Sequence, residues 1–136
     1  MSWFDYFSDE EKKYLCDIAL CSMLKPNDAK AYNNRGRAYH HLKCYEQAID
    51  DYNKALQLME LPVIYNNRGQ AYYYLKNYKQ AFADLNKAIE LGIRGKDLVE
   101  ALDYLELCYK ELRNNEKSQS DFAKDKQIDY KGWFNG

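Results

Sequence analysis

Side chains able to do chemistry are few in kind here, and most recur in register. His40 and His41 stand side by side, four cysteines are scattered at Cys16, Cys21, Cys44 and Cys108, and two guanidinium-carboxylate combinations repeat, Arg35 with Asp51 and Arg68 with Asp84. Adjacent residues on a helix point in different directions, so the two imidazoles cannot chelate one metal unaided. The cysteines lack C-x-x-C spacing and lie in helically patterned segments, which argues against a zinc site or a redox pair and for reduced thiols. No glycine-rich phosphate loop, nucleophile elbow or carboxylate pair in a defined context occurs. The expectation is a non-catalytic protein with no metal and no cofactor.

The repeated Arg and Asp residues keep one offset in both copies, which predicts an ion pair between neighbouring helices for Arg35 with Asp51 and for Arg68 with Asp84. A nearly buried guanidinium must be paired. The alternative, arginines facing a partner, stays open on the sequence. Asparagine is a poor helix former, and Asn33, Asn34, Asn66 and Asn67 all fall inside helical patterns. Their use as mere solvated surface is therefore disfavoured.

These residues must be positioned by a repeated element. The block at 29–61, AKAYNNRGRAYHHLKCYEQAIDDYNKALQLMEL, begins again at 62–94 as PVIYNNRGQAYYYLKNYKQAFADLNKAIELGIR. A period of about 33 residues marks stacked units, none of which can bury its apolar face alone. The helical pattern breaks once per block, at Lys43-Cys44 and at Lys76-Asn77, so each block reads as a helix hairpin. Small and large residues alternate on the facing sides, which lets helices interdigitate.

The flanks follow the same logic. Ser8 and Glu11 fit a capping box opening a helix over 9–25 that packs on the first repeat, with Tyr14, Leu15, Ile18, Ala19, Met23 and Leu24 on one face. From Lys96 to Arg113 another helix is expected, then a turn at Asn114-Asn115 and a last charged helix carrying Phe122 and Ile128. Residues 96–130 would be a degenerate third unit or a pair of capping helices. Trp3 and Phe4 are expected to fold back over one open end. Trp133 and Phe134 would either cover the other end or form a patch for self-association.

Tyr32, Gly36, Tyr39, Ala48, Tyr52 and Ala55, and again Tyr65, Gly69, Tyr72, Ala81, Leu85 and Ala88, form a pattern that resembles the tetratricopeptide repeat. The resemblance implies an all-α fold, a right-handed α-solenoid of antiparallel helix hairpins with about seven helices, in one domain spanning 1–136. Both units are a residue shorter than is usual in the family, Pro62 stands later than its proline, and Arg35 and Arg68 replace its usual leucine. The resemblance also implies a concave groove lined by the first helix of each repeat. Lys30, Asn33, Asn34, Arg37, His40 and His41 would line it in the first repeat, and Val63, Asn66, Asn67, Gln70, Tyr73 and Tyr74 in the second. Amides and Tyr hydroxyls can both donate to and accept from an extended backbone.

An extended segment or helix of a partner protein is thus the expected ligand. Family members that hold the C-terminal carboxylate of heat-shock chaperones use a Lys and Asn clamp. Here Asn33, Arg37, Glu100 and Tyr104 stand at clamp positions and only Asn67 matches, which does not support that use. Twenty basic against twenty-one acidic residues give a net charge of −1, which carries no nucleic-acid footprint. With no basic start, no leading apolar run and no membrane-length apolar window, a soluble cytoplasmic protein is expected. An adaptor or scaffold is the leading reading. A dedicated chaperone or neutralising partner of a secreted protein or toxin, and a self-assembling scaffold, are its alternatives.

Overall fold

The computed structural model describes residues 2–24 and 27–126. After a short 3-10 turn at Trp3–Tyr6, six helices follow: α1 (Asp9–Leu24), α2 (Ala29–His41), α3 (Tyr45–Leu58), α4 (Pro62–Tyr74), α5 (Tyr78–Glu90) and α6 (Gly95–Lys126). Among the described residues there are no strands. The helices form an α-solenoid: each packs on its neighbours in sequence, while α4 also meets α2 on one side and α6 on the other. That second set of contacts brings α2, α4 and α6 together as one layer.

Local chemistry sets the helix ends. Ser8 and Glu11 exchange backbone and side-chain bonds at 2.7 and 3.1 Å, opening α1 at Asp9. Asp28 accepts from the Lys30 amide at 3.0 Å to cap α2, and Pro62 fills the first turn of α4, where no amide donor is needed. The turns inside both hairpins are closed alike. Lys43 N bonds to His40 O and Cys44 N to Tyr39 O, each at 2.9 Å, and Lys76 and Asn77 repeat this on Tyr73 and Tyr72. Such a closure puts one residue in the left-handed region, and Lys43 and Lys76 adopt it at φ 61° and 64°. The same closure after α5 uses Gly92.

The core is built from small residues against large ones. Ala48, Tyr52 and Ala55 of α3, Ile64 and Ala71 of α4, and Ala81, Leu85 and Ala88 of α5 are all but fully buried. At Gly36 a Cβ would lie 2.6 Å from the Tyr52 ring, and at Gly69 one would lie 2.9 Å from Leu85 and 3.2 Å from the Ala81 carbonyl oxygen. Both glycines therefore mark where the second helix of a hairpin meets the first.

Two expectations differ from the structure. Helix α6 runs without a turn through Asn114 and Asn115, because two asparagines lower helix propensity without removing a backbone donor, as proline would. One helix thus stands where two were expected. Trp3 and Phe4 do not cover the end of the stack: Trp3 packs edge-on against Phe4 and Phe7 at 5.8 and 5.7 Å, and is 66% exposed. With only one short turn between them and α1, these rings reach each other and Lys12 instead. Trp133, Phe134 and Ile128 lie outside the described residues.

Candidate functional site

The layer made by α2, α4 and α6 encloses a cleft of about 320 Å³. Of the residues singled out in the sequence, Arg37, His40, His41, Val63, Asn67 and Gln70 line it together. The first helices supply these side chains because each hairpin turns its second helix to the other side, where the alanine-rich face is buried.

The amide nitrogens of Asn66, Asn67 and Gln70 have partners already, while the buried Asn66 Oδ1 has none. Asn67 Nδ2 donates to Asn33 Oδ1 at 2.9 Å, tying α4 to α2. Gln70 Nε2 donates to Glu100 Oε1, and Asn66 Nδ2 reaches the same oxygen at 3.5 Å, tying α4 to α6. Asn33, Asn66 and Gln70 are buried. A buried amide left unbonded would be costly, so this row joins helices before it can serve a ligand. What faces solvent in the cleft is mainly charged: Arg37, Lys96, Asp97 and Glu100, with the exposed edge of His41.

An aromatic row adjoins the cleft through His40. His40 meets Tyr45 at 5.2 Å and Tyr74 at 5.5 Å edge-to-face, Tyr45 stacks on Tyr74 at 5.1 Å, and the Tyr74 and Tyr104 hydroxyls share a hydrogen bond at 2.7 Å. Tyr73 packs edge-on against Tyr104 at 5.4 Å. On the other side His41 stacks on Tyr14 of α1 at 4.5 Å. Burial pushes the His40 imidazole down to about 4, helped by neighbouring His41 and Arg37, so it is neutral at pH 7. Burial, with the Tyr74 hydroxyl beside it, raises the Tyr104 phenol.

Two predicted groove residues stand elsewhere. Asn34 is exposed and lines a second cleft of about 370 Å³ between α1 and α2, with Tyr14, Asp17 and Leu20. Lys30 is exposed in the first turn of α2. Conversely, Lys96 and Asp97 line the main cleft but were outside the expected set, and Glu100, weighed only as a clamp position that does not match, lines it with them. The signal was present: the repeat spacing carried forward from Val63 and Asn67 lands on Lys96 and Glu100.

Arg35 and Arg68 lie away from this cleft. Arg35 Nε and Nη2 donate to Asp51 at 2.8 and 2.6 Å, and Arg68 Nε and Nη2 donate to Asp84, both at 2.7 Å. The remaining nitrogen of each fork reaches back to the preceding helix, from Arg35 to Ser22 Oγ at 3.2 Å and from Arg68 to Asn53 Oδ1 at 2.9 Å. Each guanidinium therefore ties three helices. The bonds to Asp51 and Asp84 raise both arginines above their usual range, and burial pushes the Asp84 carboxyl up while Arg68 pulls against it. Ser22 stands to Arg35 as Asn53 stands to Arg68, so α1 occupies the place of a second helix preceding the first repeat.

Among the described residues no group of His, Cys, Asp and Glu could hold a metal ion, and no helix is long and apolar enough to cross a membrane. Cys108 is buried among apolar residues, and burial lifts its thiol to about 11.

Residues 29–60 and 62–91 match the family described as tetratricopeptide repeat. Among solved structures, the chain is similar to the Arabidopsis OM64 TPR domain, at 28% identity and a TM-score of 0.66, over 73% of this chain and 83% of that one. None of the curated proteins matches it.

Proposed function

From a chain that carries two tetratricopeptide repeats, a scaffold for binding other proteins, we propose an adaptor whose α2, α4 and α6 layer takes an extended segment of a partner protein. The observation that carries this reading is the cleft across three first helices, with Arg37, Lys96, Asp97 and Glu100 presented at its wall. Paired charges of both signs suit a peptide that offers backbone amides and alternating charged side chains. Val63 and the Tyr52 ring edge supply apolar floor. The amides of Asn33, Asn66 and Gln70 hold the wall rigid, which lowers the ordering cost of binding.

The test uses a displayed library of unstructured peptides, panned on the full chain. Selected peptides should lose about tenfold in affinity, or more, on an Arg37→Glu, Lys96→Glu variant, and keep it on Lys54→Glu, an exposed change on α3 outside the cleft. A library that yields no binder, or binders indifferent to Arg37 and Lys96, would remove the groove as the working surface.

A further inference from the structure

The α6 wall of the main cleft carries two carboxylates that no cation among the described residues neutralises. Asp97 and Glu100 both line the cleft, both are exposed, and their three-residue spacing sets them on one helix face. Arg37 and Lys96 line the same cleft, yet none of the ion pairs among the described residues joins either cation to either carboxylate. Asp97 stands in the first turn of α6, where an acidic group favours the helix dipole, but Glu100 lies beyond that turn.

Neutral amides hold the Glu100 carboxylate instead. Gln70 Nε2 and Asn66 Nδ2 both reach Oε1 from α4, so two donors orient one oxygen while Oε2 has no hydrogen bond among the described residues. Glu100 therefore faces α4 and the cleft, not the outer side of α6. A carboxylate fixed in this way is an acceptor held ready, with half of its capacity unused.

The cleft lacks partners at its inner side too. Tyr52 is 1% exposed and lines the cleft, but its hydroxyl takes part in no hydrogen bond among the described residues. Burial holds this phenol above its usual range, so the hydroxyl is neutral and can accept a donor. Asn66 Oδ1, on the amide that reaches Glu100, is a second buried oxygen without a partner. Tyr104 follows Glu100 by four residues on the same face; burial raises its phenol, and the nearby Glu100 charge adds to the rise. Carboxylates, an unpartnered hydroxyl and an aromatic ring together suit a cation, whereas an anion on this wall would be repelled by Asp97 and Glu100.

With the groove as the working surface, on which this rests, we propose that the α6 wall is a pocket for a basic side chain: the partner's extended segment sets a lysine or arginine against Glu100 and Asp97. Arginine brings five donors in a planar fork and lysine three, enough for Glu100 Oε2, for Asp97 and for the Tyr52 hydroxyl. Arg37, from α2 on the other wall, is left for an acidic residue of the same segment. Residues two apart in an extended segment share one face, so a basic and an acidic residue at that spacing serve the two walls.

Positional-scanning peptides of about eight residues, each set fixing one residue type at one position, test this on the full chain; extended, they reach about 26 Å, enough to cross three helices packed about 10 Å apart. Acetylated and amidated ends leave side chains as the only charges. Sets fixing Lys or Arg at one position should be retained most strongly. Glu100→Gln with Asp97→Asn keeps side-chain size and should lower that retention about tenfold. Glu100→Lys with Asp97→Lys should turn the preference at the same position to Asp or Glu. Both variants change exposed side chains, and circular dichroism checks that helicity is kept. A preference for basic residues that survives the charge reversal would overturn the proposal. So would peptides that depend on Arg37 and Lys96 but show no preference for a basic residue, and the groove would then stand without the pocket. Retention of no set by the wild type would remove groove and pocket together.

Discussion

Gly36 and Gly69 leave no room for a side chain. A methyl group at Gly69 would press on the fully buried Leu85 and on the Ala81 carbonyl, which belongs to a helix that cannot yield alone. Gly69→Ala gains up to about 1 kcal/mol of helix propensity and loses about 1–3 kcal/mol to overpacking, so a net loss is expected in urea denaturation. Increased stability would show that α4 and α5 have slack. His40 makes a pH prediction. It faces His41 and Arg37 on its own helix, Tyr45 from α3 and Tyr74 from α4, and its folded value of about 4 lies below the usual 6.5. A depressed imidazole means that the unfolded chain binds the proton first, so its stability contribution is present above pH 6.5 and lost as pH falls toward 4. Allowing for the part of the ring still in contact with solvent, the loss is about 1–2 kcal/mol over that window. His40→Tyr, the residue type that repeat two holds at Tyr73, should flatten it in urea titrations at pH 7 and pH 5. An unchanged slope would assign the acid sensitivity elsewhere. The glycines were legible in the sequence as small residues at one recurring position of the repeat pattern. The neutrality of His40 was not, because it follows from rings contributed by two other helices.

At the scale of elements, the Arg forks decide how helices are joined. Asp51 and Asp84 are 2% and 4% exposed, and each is reached by two guanidinium nitrogens. Removing Arg68 alone leaves a buried carboxylate unpaired, so Arg68→Leu should cost about 3–5 kcal/mol, whereas Arg68→Leu with Asp84→Leu should recover most of that loss. Equal loss in the single and double variants, measured by denaturation, would mean that shape rather than charge pairing matters at this site. The shared offset of Arg and Asp made the partners readable. The third bond, to Ser22 or Asn53, could not be read, because it crosses to the preceding helix at a spacing fixed by the connection. Helix α6 shows the opposite case. Its apolar period was clear, but whether the chain turned at Asn114 depended on propensities too weak to decide it.

Over the whole molecule, order should be graded along the stack. Helix α3 has five buried residues, Ala48, Ile49, Asp51, Tyr52 and Ala55, while α1 has none among those described. Contacts in a solenoid are between neighbours, so an end helix held on one side opens at lower cost. Native-state hydrogen exchange should find α1 amides exchanging at least about tenfold faster than those of α3 and α5 in dilute protein. Equal protection along the chain would show a single cooperative unit instead.

The repeat register, the hairpins, the recurring glycines and the Arg and Asp pairs are properties of the sequence by itself, because they depend on residues at fixed short offsets. Which side chains share the cleft was decided only by tertiary structure. Asn33, Asn66 and Gln70 sit on the expected helices, yet their amides bond across to α4 or α6, and the exposed charge beside Arg37 comes from Lys96, Asp97 and Glu100 beyond the two clear repeats. Helical periodicity tells which residues share a face. How far a neighbouring helix covers that face depends on the stacking of helices distant in sequence.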